Sequence, residues 1–68
     1  MSANGQRIRD LREAKPLGLR KLADLAGVHR SYLSRLERGI KGASPETLDK
    51  IAAGLDVSVD EITDPEPS

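Results

Sequence analysis

Residues 19–39 read LRKLADLAGVHRSYLSRLERG, and no other stretch restricts the fold so tightly. Leu19, Leu22, Ala23 and Ala26 recur at helical spacing and predict one short helix. Gly27 can take the left-handed conformation that closes it, and Val28 returns to the core. A second helix follows over 30–38, with Leu33 and Leu36 on one side and Ser31, Ser34, Arg35 and Arg38 on the other. Two short helices across a tight turn, the second with an outer face of hydroxyls and guanidinium groups, present a helix to the DNA major groove.

Sixty-eight residues make one small domain. With no Phe or Trp and one Tyr, its core must be built from Leu, Ile, Val and Ala. Aliphatic cores of this kind suit helix bundles better than β-sandwiches. The absence of Cys excludes disulfides and thiolate metal sites. No apolar run approaches the roughly 18 residues of a membrane span, and no signal-peptide pattern opens the chain. The expectation is a soluble, cytoplasmic protein. Its formal net charge of zero argues against a simple polycation, but the charge is segregated. Residues 7–41 carry ten Lys/Arg against four Asp/Glu, whereas residues 42–68 carry one Lys against seven acids. Such a split gives one half suited to phosphate and another turned away from it.

Along the chain, residues 1–5 form a polar, frayed start. Ile8, Leu11 and Ala14 then mark a first helix over about 6–15, ended by Pro16. Gly18 leads into the second helix, and the third stops at Gly39, before a loop over 39–43. Ser44-Pro45-Glu46 is a strong start for a fourth helix: an N-cap, a proline in the first turn, and an acid at the positive end of the dipole. Its inner stripe is Leu48, Ile51, Ala52 and Leu55, with an end expected near Gly54. Ser58 to Glu61 fits a capping box for a short fifth helix. The reading is an all-α fold of five helices and no strands, spanning 6–62, with a disordered acidic tail at 63–68.

In this order the residues resemble the phage repressor/Cro-type (Xre-type) helix-turn-helix family. The resemblance rests on Ile8-Arg9-x-Leu11-Arg12, Leu22-Ala23, Ala26-Gly27-Val28, Ser31 through Gly39, Ser44-Pro45-Glu46-Thr47-Leu48, and Leu55-x-Val57-Ser58-x-Asp60-Glu61-Ile62. It covers nearly the whole chain and implies a lambda-repressor-like domain. It also implies a DNA-binding transcriptional regulator, most often a repressor, with no cofactor. By resemblance, Arg12 and Glu37 form a buried ion pair, and the third helix is the recognition helix. Arg30, Ser31, Ser34 and Arg35 then match positions that reach base edges, while Arg38 and Lys41 match positions near phosphates. Arg suits the O6 and N7 of guanine, which predicts a G-containing half-site.

Two positions depart from the family pattern. Gly18 and Leu19 stand where a Ser/Thr-Gln pair often opens the second helix, so a phosphate contact is missing there. Arg20 or Lys21 is the replacement nearest in sequence. His29 stands where Ser or Thr caps the recognition helix, and a neutral imidazole is expected to cap poorly. Tyr32 is expected to pack on the core flank with its hydroxyl in water.

One His and no Cys leave no catalytic constellation and no metal site. Asp60 and Glu61 are explained by the helix dipole. One domain reads few base pairs, so the expected partner is double-stranded DNA bound as a dimer on a palindrome, with half-sites one helical turn apart. The dimer contact is expected at the end of the fourth helix and over 57–62. The apolar surface there is small, which predicts weak self-association, strengthened on DNA. The competing reading is a protein-interaction module, such as an antitoxin or complex subunit. The Ser- and Arg-rich outer face favours DNA over that reading, because protein-binding faces are richer in apolar side chains.

Overall fold

The computed structural model describes residues 2–65. A strand, β1 (Ser2–Ala3), leads into helices α1 (Gly5–Ala14), α2 (Leu19–Ala26), α3 (Arg30–Glu37) and α4 (Pro45–Leu55). A 3-10 turn (Val59–Ile62) and a strand, β2 (Thr63–Asp64), follow. The helices enclose one aliphatic core, in which Ile8, Leu22, Leu33, Leu36, Ile51, Leu55 and Ile62 are fully buried. Ala23, Ala26 and Ala52 are buried with them and let α2 and α4 approach closely. Ala14 falls outside this stripe and is exposed.

Four α-helices are present among the described residues, rather than five. The fifth element is a single 3-10 turn because only four residues separate its N-cap, Ser58, from Thr63, whose backbone is already extended. The Glu61 carboxylate accepts from the Ser58 N–H at 3.1 Å. Helix α4 ends at Leu55, next to the expected end near Gly54. Gly54 lies where α2 crosses: a Cβ there would lie 2.9 Å from Leu22 Cδ1 and 3.3 Å from Leu25 Cβ. The helix is closed by Asp56, which takes the left-handed conformation with φ 59°.

The two strands are an addition to the all-helical reading. They pair antiparallel, Ser2 with Asp64 and Ala3 with Thr63, so residues expected to fray at either end hold each other. Met1 and residues 66–68 of the expected tail lie outside the described residues. Asn4 links the pairing to α1. Its amide donates to Asp64 at 3.1 Å, its backbone N–H donates to the Ile62 carbonyl at 2.9 Å, and its Oδ1 caps the helix by accepting from the Arg7 N–H at 3.0 Å.

Gly5, the first residue of α1, is buried against the end of α3. A Cβ at this position would collide with the Leu36 carbonyl oxygen and lie 2.7 Å from that of Glu37. Both obstacles are backbone, which cannot rotate away. Gly5→Ala is therefore expected to force the start of α1 off α3 and to cost about 1–3 kcal/mol in urea denaturation, as overpacking does. A Gly5→Ala variant with an unchanged urea midpoint would show that the close approach is not needed.

Candidate nucleic-acid interface

Helix α3 sets the geometry of the candidate site. Leu33, Leu36 and Glu37 are buried on its inner side, while Arg30, Ser31 and Arg35 are exposed and Ser34 is half-buried. The turn before it is closed by Gly27 at φ 67°, with the Val28 N–H bonded to the Ala23 carbonyl at 3.0 Å. This left-handed residue turns the chain within three positions, so α2 braces α3 directly.

His29 caps α3, contrary to the expectation that an imidazole would do so poorly. Its Nδ1 accepts from the Ser31 N–H at 3.1 Å. The ring lines a cleft of about 280 Å³ with Arg20, Ala23, Asp24, Val28 and Arg30.

The other side of α3 forms an open groove of about 340 Å³ lined by Leu19, Arg30, Ser31, Ser34, Arg35 and Arg38. The structure thus brings five of the expected contact residues together on one surface. Arg20 lies apart, in the cleft beside His29. Lys21 and Lys41 are exposed and line neither groove. Leu19, an apolar-stripe residue that stands where the family often has Gln, packs against the core and also forms part of the groove wall. Because the groove gathers three Arg and two Ser and is open to solvent, it fits an extended polyanion with base edges to read.

Arg12 and Glu37 hold this face in place from behind. Arg12 Nε donates to Glu37 Oε2 at 2.7 Å and Nη2 to Oε1 at 3.0 Å, a two-pronged pair with side chains 13% and 5% exposed. Arg12 Nη1 also donates to the Leu17 carbonyl at 3.0 Å, so one guanidinium ties α1, the link into α2, and α3. The Glu37 hydrogen bonds raise the Arg12 pKa above its ordinary value, against the opposing effect of desolvation. No buried side-chain polar atom among the described residues lacks a partner.

Tyr32 packs on the flank of the core as expected and makes one contact beyond that reading. Its hydroxyl donates to the Gly42 carbonyl at 2.8 Å. The sequence held no local signal for this bond, since the acceptor is a backbone atom in a loop ten residues away. Among the described residues, no group of three His or acidic side chains could hold a metal ion, and no helix is long and apolar enough to cross a membrane.

This bihelical unit, with a cationic and hydroxylated outer helix, defines a helix-turn-helix protein. The family model described as Helix-turn-helix matches residues 8–62, and the chain belongs to that family. It is 46% identical over 61 residues to the HTH-type transcriptional regulator SinR of Bacillus subtilis (strain 168), covering 88% of this chain and 55% of SinR. The chain thus spans about half the length of such curated relatives. Among solved structures it is similar to the restriction-modification controller protein C.AhdI from Aeromonas hydrophila. That match has a TM-score of 0.82 and 44% identity, over 84% of this chain and 86% of that one. It is also similar to SinR, the master regulator for biofilm formation, in complex with DNA. Here the TM-score is 0.77 and the identity 48%, over 81% of this chain and 89% of that one.

Removing one member of the buried pair leaves the other charge unpaired. Glu37→Ala is expected to cost about 3–5 kcal/mol, which approaches the whole stability of a domain this small. Thermal unfolding followed by circular dichroism checks it, and an unchanged midpoint would mean that the pair is dispensable.

Proposed function

We propose that this chain is a sequence-specific DNA-binding regulator of transcription that reads the major groove with α3, and that it acts as a repressor. The observation that carries this reading is the gathering of Arg30, Ser31, Ser34, Arg35 and Arg38 along one open face of a helix anchored on its other side. Arg30 and Arg35 are assigned to guanine edges, and Ser31 and Ser34 to either base of a pair. Arg38 and Lys41, at and beyond the end of α3, are assigned to phosphates. Arg20, in the cleft beside His29, takes the phosphate contact that Leu19 cannot make; Lys21 is the alternative donor. SinR, a transcriptional regulator crystallised with DNA, supports the same reading.

The chain acts as a weak homodimer on a palindromic site. An apolar groove of about 230 Å³ lined by Ala43, Pro45, Leu48, Asp49 and Val59 is the surface assigned to the second copy. It lies at the start of α4 and the 3-10 turn rather than at the end of α4. Its small size fits an association that DNA must strengthen.

Selection of duplexes from a random pool tests DNA reading. The expected result is a palindrome containing G. Arg35→Ala should bind it about 5- to 150-fold more weakly and with relaxed choice at one position per half-site. Lys41→Ala should weaken binding to every sequence alike and lower the salt slope by about 1. Salt-sensitive binding with no enriched sequence would instead favour a protein partner. For the dimer, Val59→Asp should leave binding to a single half-site unchanged and abolish cooperative binding to two. Sedimentation showing a stable dimer at nanomolar concentration would overturn the weak association.

A further inference from the structure

We propose that Tyr32 is a positioning residue for DNA-backbone binding, acting through the loop that carries Lys41. This rests on the reading of α3 as the recognition helix. The loop begins at a fixed point: Gly39 takes φ 78°, its N–H bonds to the Leu36 carbonyl at 3.1 Å, and the Ile40 N–H bonds to the Arg35 carbonyl at 2.9 Å. These two bonds close the end of α3 in a Schellman arrangement. The loop ends at a second fixed point, where Ser44 Oγ accepts from the Thr47 N–H at 3.2 Å and caps α4.

Residues 41–43 lie between these points. Among the described residues, the one hydrogen bond that reaches them is from the Tyr32 hydroxyl to the Gly42 carbonyl, at 2.8 Å. Ala43 is partly buried against the core, but Lys41 and Gly42 are exposed, so burial does not hold these two. Tyr32 itself is well anchored, with its ring packed on the core between the groove-lining Ser31 and the buried Leu33. The hydroxyl therefore transfers the rigidity of α3 to the loop and fixes Lys41 relative to Arg35 and Arg38.

A loop ordered before binding does not lose its backbone freedom when Lys41 meets a phosphate, and affinity rises accordingly. Tyr32 on this account touches no base and sets no sequence preference. Removing its hydroxyl leaves the ring and the core intact but frees the loop.

The experiment compares wild type, Tyr32→Phe, Lys41→Ala and the double variant on the duplex that wild type enriches from a random pool, with fluorescence anisotropy as the readout. Amide hydrogen exchange at residues 41–43 is measured on the free proteins. Tyr32→Phe should fold as wild type does, exchange faster at these amides, and bind about three- to tenfold more weakly with an unchanged selected sequence. In the Lys41→Ala background the same substitution should have no further effect, because there is no cation left to position. The proposal is overturned if the two losses multiply independently, if Tyr32→Phe binds as tightly as wild type, or if it alters the selected sequence. If wild type enriches no duplex while Tyr32→Phe still speeds exchange, the tether stands and the DNA role of both residues falls.

Discussion

The forked ion pair between Arg12 and Glu37 is the constraint on which the rest of the molecule depends. Aliphatic contacts among Ile8, Leu33 and Leu36 bring α1 and α3 together, but such contacts are non-directional and tolerate rotation of one helix against the other. Two parallel hydrogen bonds between a planar guanidinium and a carboxylate do not. Buried pairs of this kind contribute little net stability over a well-packed apolar substitute, so their value lies in geometry. Here they fix the roll of α3 about its own axis. That roll decides whether Ser31, Ser34 and Arg35 face outward together or are partly turned into the protein. Arg12 extends the same control to the neighbouring helix by bonding the Leu17 carbonyl just before α2.

Charge segregation complements this orientation. A chain with zero net charge gains little long-range attraction to a polyanion, yet ten of its Lys/Arg fall within residues 7–41 and seven of its acids within residues 42–68. Attraction to a duplex therefore rests on the local cluster of Arg30, Arg35 and Arg38 along α3 rather than on the overall charge. The chain can thus engage DNA at short range without adhering to it indiscriminately.

Much of this was legible in the sequence wherever a local rule governs the outcome. The apolar spacing of Leu22, Ala23 and Ala26, the breaks at Pro16 and Gly27, and the Ser44-Pro45 start all translate directly into α1 to α4. The outward face of α3 follows from the same periodicity. What escaped were contacts between residues far apart in the chain. Gly5 reads as part of a loose terminus, because nothing nearby in sequence reveals the α3 carbonyls it must avoid. Gly54 marks the end of α4 closely enough, but its tight crossing with Leu22 and Leu25 on α2 has no local signal. Pairing of Ser2 and Ala3 with Thr63 and Asp64 has no sequence signal at all, since two-residue strands show no alternation. The bond from the Tyr32 hydroxyl is hidden for a related reason, since its acceptor is a backbone carbonyl in a loop ten residues away.

That terminal pairing has a mechanical side. Ser2 and Asp64 are directly opposed, and partners across an antiparallel pair sit about 5 Å apart. A polypeptide passing through the domain therefore enters and leaves at nearly one point. The domain hangs from that point as a pendant, and any pull on its two ends acts first on the short strands, peeling them apart one residue pair at a time. Asn4 would feel the load next, as it bonds Asp64 with one side-chain atom and caps α1 with the other. Tension between the ends would thus be transmitted to the first turn of α1, beside the close crossing with α3, before it reached the aliphatic core.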